Sequence, residues 1–155
     1  MGYFENMLTT TKTDIQIIEK IGKLLVWYEN NCDKATVLRL IEFQDKLSLL
    51  SCNLATITAR AKGSHLRAYF ERKHTFSIKK LGFIKEGLKI GTAEEQAQTE
   101  IEGLTEKEIQ TEEIADSLML ELRQVNKVLS AVQQRISFMK TEYETMHKLS
   151  HDNKK

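Results

Sequence analysis

The chain has 155 residues, a net charge of +1, 41% hydrophobic and 29% charged side chains, seven glycines and no proline. This balance is too apolar for a disordered chain, and the length suffices for one domain with its own core. Proline breaks helix interiors, so its absence points to a chain that spends most of its length in uninterrupted helix.

The first helix is expected over 13–29. Thr13 and Gln16 have the spacing of a capping box, and Ile17, Ile18, Ile21, Leu24, Leu25 and Tyr28 then recur at helical intervals. Asn30, Asn31 and Asp33 supply turn chemistry. A second, long helix is expected over 34–86. Leu40, Phe43, Leu47, Leu50, Leu54, Ile57 and Ala61 follow alternating steps of three and four, the spacing of a heptad seam. Beyond them the small residues Ala59, Ala61, Gly63, Ser64 and Ala68 permit either close approach of a neighbour or a bend. Gly87 and Gly91 suggest the end of this helix.

Residues 92–102 are rich in Ala, Glu and Gln and read as an exposed or marginal helix without a wide apolar face. Gly103 is expected to break it, and Thr105 with Glu108 offers a capping box for a last helix over 105–149. That helix carries Leu118, Leu122, Val125, Leu129, Val132, Ile136, Met139, Tyr143 and Met146, a seam of about four heptads. The seam must pack either on residues 40–61 or on a second copy, and Leu118, Leu122, Val125, Leu129, Val132 and Ile136 are the oligomerisation candidates. Residues 150–155 read as a polar, frayed tail. No segment alternates with the period of a strand. The expected fold is all-α, a single helical domain forming an elongated bundle or hairpin of heptad-patterned helices, and oligomeric.

Signatures of catalysis are missing from this pattern. There is no GxxxxGK[ST] or GxGxxG phosphate cradle and no HExxH. His147 and His151 stand four apart, but in a polar terminal run that reads as solvated rather than as a metal site. The pairs Glu94/Glu95 and Glu112/Glu113 lack the Glu-x-x-His companions of a di-iron bundle. Cys32 and Cys52 form no CxxC pair and read as buried, reduced, inert thiols. The chain is expected to be no enzyme, with no cofactor and no metal. Residues 1–13 lack the basic and apolar regions of a secretory leader, and no apolar run approaches the roughly 18 residues of a membrane span. A cytoplasmic protein without membrane contact is therefore expected.

Charge is distributed unevenly. Residues 60–89 hold nine cations against two acids, whereas residues 90–122 hold ten acids against one cation. Two such blocks can face each other within the fold, attract a second subunit, or serve an anionic or a protein partner. Within the basic block, Arg60, Lys62, Arg67, Arg72, Lys73, Lys79 and Lys80 interleave with Tyr69, Phe70, Phe76 and Phe83. Single-stranded nucleic acid is bound in this manner, cations tracking phosphates while rings stack on bases. An amphipathic helix with phenylalanine in its core and lysine on its rim produces the same interleaving, and a membrane-surface helix is a further option.

The order of parts resembles the UvsY-type recombination mediators of T-even phages. The shared layout is a basic, aromatic-containing helix (Arg60 to Lys80), a charged connection and a C-terminal amphipathic helix, here VNKVLSAVQQRISFMK. It covers about residues 54–140. The acidic stretch Glu94–Glu113 and the helix from Thr13 to Tyr28 depart from it. The resemblance implies a ring-forming phage protein that binds single-stranded DNA and helps load a recombinase. On that analogy Arg60, Lys62, Arg67, Arg72 and Lys73 contact phosphate, and Tyr69 stacks. The competing expectation is a structural or interaction module, a virion component or adaptor, assembled through coiled-coil and charge-complementary contacts.

Overall fold

The structure, a computed structural model, describes the backbone of residues 11–152 and the side chains of residues 11–147. The expected tail beyond 152 and the side chain of His151 lie outside these. Four helices and no strand are found among the described residues: α1 (Lys12–Asn31), α2 (Val37–Lys85), α3 (Ile90–Glu100) and α4 (Glu102–Asp152). The fold is all-α. No helix is long and apolar enough to cross a membrane among the described residues.

The chain clusters into two compact units. Of the described residues, the first holds 11–56 and 120–152 and the second 57–119, so that α2 and α4 each contribute to both.

In the first unit α1, the start of α2 and the end of α4 share an apolar core. Ile21, Leu40, Leu47, Val125 and Val132 are wholly buried, so the steps of three and four in the sequence do mark the packed faces. Phe43 stacks on both Trp27 and Tyr28, at centroid distances of 5.5 and 5.1 Å. Burial together with the nearby Cys32 raises the Tyr28 pKa. Ser51 Oγ donates to Asn126 Oδ1 at 3.2 Å, and Arg135 pairs with Asp33 at 3.1 Å. The seam of α4 outruns this core. Ile136 is buried and Met139 half-buried, but Tyr143 and Met146 are each 69% exposed.

Several local features fall elsewhere than spacing alone predicts. The cap of α1 is Thr11 with Asp14, not Thr13 with Gln16. Asp14 N–H donates to Thr11 Oγ1 at 3.2 Å and Thr11 N–H donates to Asp14 Oδ2 at 2.9 Å. Asp14 is suited because its carboxylate meets both a free amide and the positive end of the helix. Thr105 does not start α4 either. It lies within the helix and its hydroxyl donates to the Ile101 carbonyl, while Glu108 is engaged elsewhere. Gly103 breaks nothing, since α4 already begins at Glu102 and the single non-helical residue is Ile101, buried between α3 and α4. Nor is α3 marginal: Ala93, Ala97 and Ile101 recur every four residues and are fully buried, a stripe narrow enough to escape a search for wide apolar faces. Cys32 is half-buried and Cys52 exposed, so neither is the sealed thiol that its apolar neighbours suggested.

The end of α2 is a Schellman motif. Leu88 N–H donates to the Phe83 carbonyl at 3.1 Å and Gly87 N–H to that of Ile84 at 3.0 Å, with Gly87 at φ +94. A side chain there is strained, whereas one at Gly22, inside α1, meets nothing within 4 Å. Gly87→Ala is therefore expected to destabilise the protein by about 1 kcal/mol, and Gly22→Ala to stabilise it by about 0.5–1 kcal/mol, read by denaturant unfolding.

Glu121 is half-buried, and desolvation raises its pKa above the ordinary glutamate range. A raised carboxyl favours the folded state while protonated, and this contribution is lost as pH rises through the folded pKa. Glu121→Gln should accordingly raise the melting temperature at pH 7, and the gain should shrink towards nothing as pH falls below the ordinary glutamate pKa.

Candidate functional site

In the second unit the partner of α2 changes character. Ala61 and Ala68 are 5% and 3% exposed, small enough for a close neighbour. The helix runs on through Gly63 without a break. The packed side then steps by fours through Ala68, Arg72, Phe76 and Lys80. Two of these four are charged, so ion pairs flank an apolar contact built from Ala61, Ala68, Ala93, Ala97, Ile101 and Leu118.

Arg72 donates to both Glu108 carboxylate oxygens, with side-chain exposures of 23% and 14% for the two residues. The hydrogen bond to Glu108 is the main cause of a raised Arg72 pKa, which keeps the guanidinium charged at every accessible pH. Lys107 reaches Glu71 at 2.8 Å, directly beside the first pair on both helices. Lys79 pairs with Glu100 and Lys80 with Glu94. The basic and acidic blocks therefore do face each other within the unit, one of the options that the sequence left open. Half-buried Arg72–Glu108 outweighs the more exposed pairs, since exposed ions are screened and gain little. Glu108→Gln is expected to cost about 1–2 kcal/mol in unfolding experiments, and Lys79→Ala well under 1.

The candidate nucleic-acid residues are thus divided. Arg72, Lys79 and Lys80 are engaged by glutamates. Tyr69 is half-buried, with Lys73 Nζ 4.7 Å and Arg72 Cζ 5.8 Å from its ring centroid. Arg60, Lys62, Arg67 and Lys73 are solvent-exposed, and Arg67 also bonds the Ser64 hydroxyl at 3.1 Å. Of the aromatics interleaved with these cations, Phe70 rather than Tyr69 is the most exposed: it is 64% exposed, edge-on to Tyr69 at 5.4 Å and between Arg67 and Lys73 in the chain. Its signal was register. Gly63, Arg67, Phe70, His74, Ser77 and Leu81 follow steps of four and three on the side of α2 away from Arg72, a second stripe hidden by the search for one seam.

The oligomerisation candidates lie mostly inside the chain. Leu118, Val125, Val132 and Ile136 are buried, and Leu122 and Leu129 are half-buried. A groove of about 840 Å³ in the second unit is floored by Phe76 and rimmed by Glu94, Glu95, Glu102 and Glu106. Among the described residues no three His, Cys, Asp or Glu side chains come together in a way that could hold a metal ion. In comparisons with known proteins the chain matches no family model, no curated protein and no solved structure.

Proposed function

We propose that the chain is a non-enzymatic helical accessory protein of the cytoplasm that binds single-stranded DNA in recombination or replication and also forms homo-oligomers. The binding face is the outer side of α2 from Arg60 to Lys73. One observation carries this reading: Phe70 stands in solvent, three residues along α2 from each of the exposed cations Arg67 and Lys73. A lone exposed phenylalanine would need no explanation. An exposed ring flanked by cations is the chemistry that stacks a base while holding its phosphates. The layout shared with UvsY-type mediators supports the same reading. Phe70 takes over the stacking role from Tyr69, and Lys79 and Lys80 drop to a secondary place because glutamates already hold them.

A second reading is an interaction module, supported by the α4 seam that continues past its core to exposed Tyr143 and Met146. An apolar seam without a partner among the described residues suits a partner helix.

Fluorescence anisotropy with a single-stranded oligonucleotide separates them. Four phosphate-contacting cations predict that log affinity falls with log salt at a slope of roughly −3. Phe70→Ala should cost about 1–3 kcal/mol of binding, and Arg67→Glu with Lys73→Glu should abolish it. Lys79→Ala with Lys80→Ala should change it little. Absence of binding at low salt, or equal loss from the last pair, would leave the interaction module.

A further inference from the structure

The ion pairs inside the second unit leave charge over on both helices, and the leftovers lie on separate outer faces. On α2 the outer stripe centres on Arg67, Phe70 and His74. On α4 the residues Glu102, Glu106, Ile109, Glu113 and Asp116 also follow steps of four and three, and centre on Glu106, Ile109 and Glu113. Phe70 is 64% and Ile109 50% exposed, and the four acidic residues of the α4 stripe, like Arg67 and His74 on α2, face solvent. Each centre reads charge, three residues, apolar, four residues, charge; the sign is basic or titratable on α2 and acidic on α4. Among the described residues Glu102, Glu106, Glu113 and Asp116 have no ion-pair partner.

These stripes cannot meet within one chain. The contact between α2 and α4 in this unit is already made by Glu71 and Arg72 with Lys107 and Glu108, on other sides of the two helices. We infer that they are the two halves of one contact between copies, the Arg67–Phe70–His74 face of one chain seating on the Glu106–Ile109–Glu113 face of another. Equal spacing lets Phe70 pack on Ile109 while both flanking positions meet opposite or hydrogen-bonding partners, as helix surfaces do when residues three and four apart form a ridge. Two different patches in contact form a heterologous interface, which closes into a ring or runs on as a filament. The occupant is a second copy because one chain carries both complementary halves at matching intervals. This inference does not rest on the DNA-binding reading. The two share Arg67 and Phe70, so a copy seated on α2 covers the residues that a base and its phosphate would use.

The test is sedimentation velocity of the full chain without nucleic acid, at micromolar concentration and at low and high salt. The wild type should assemble at low salt and dissociate as salt rises. Glu106→Lys with Glu113→Lys, and separately Arg67→Glu with His74→Glu, should each raise the dissociation constant at least about tenfold. An equimolar mixture of the two variants should regain assembly, since each reversed face then meets its complement. Circular dichroism reports whether the variants keep their helix; Glu106→Gln with Glu113→Gln gives a milder loss should a reversal unfold. A monomeric wild type, reversals that assemble normally, or folded variants that fail to rescue each other would overturn the inference. The Glu106/Glu113 variant also separates the two ideas: it should still bind an oligonucleotide, and more tightly than wild type. If it fails to assemble and also fails to bind, the DNA reading falls while the contact between copies stands.

Discussion

A helix of 49 residues must bury one side along its length, and most of what this molecule presents to its surroundings depends on how α2 meets that demand. In the first unit aliphatic side chains do it: Leu40, Leu47 and Leu54 are wholly buried. Apolar burial of this kind is strong and indifferent to direction, and it releases the outer faces to be polar. In the second unit the packed side of α2 continues through Arg72, Phe76 and Lys80, where ion pairs flank a core of small and aliphatic residues such as Ala68, Ala97, Ile101 and Leu118. A straight α-helix drifts by about 20° per heptad against a strict seven-residue repeat, so the packed side falls on different heptad positions further along. The aromatics at Tyr69 and Phe76 mark the drift, half-buried where the early seam alone would leave them outside.

This shift decides the reading of the basic block. Seven cations at 60–80 look from the sequence like one surface. Helical geometry divides them, and acidic α3 and α4 take the inward set. What remains on the outer side is smaller and better defined: Lys62, Arg67 and Lys73 with an exposed ring at Phe70. The acids left over on α4 complete the picture of a unit with oppositely charged outer sides. Such a surface suits an anionic strand on one side and a second copy across both, and the first excludes the second wherever they share Arg67.

The fold was legible because heptad spacing is redundant. Leu40 to Ala61 and Leu118 to Ile136 each repeat the same message over several turns, and one mismatch changes little. Features carried by one or two residues were not. Thr105 and Glu108 satisfy the capping pattern, yet burial of Ile101 starts α4 three residues earlier and Arg72 claims Glu108. Thr11–Asp14 and Thr13–Gln16 share one spacing, and only the two exchanged hydrogen bonds show that the first pair caps α1. The stripe of Ala93 and Ala97 is packed without being markedly hydrophobic. As to the site, the sequence named the right stretch, but separating Arg67 and Lys73 from Arg72 and Lys80 requires knowing which side of α2 meets the glutamates. Phe70 was visible as a member of a second four-and-three register, which becomes meaningful only once the first is known to be filled.

Lysine-specific chemical footprinting of the free protein tests the division of the basic block most directly. The account predicts that Lys62 and Lys73 label quickly, that Lys80, less exposed and paired with Glu94, labels more slowly, and that a single-stranded oligonucleotide protects Lys62 and Lys73 but neither Lys79 nor Lys80. Equal labelling of all four lysines, or protection confined to Lys79 and Lys80, would contradict it.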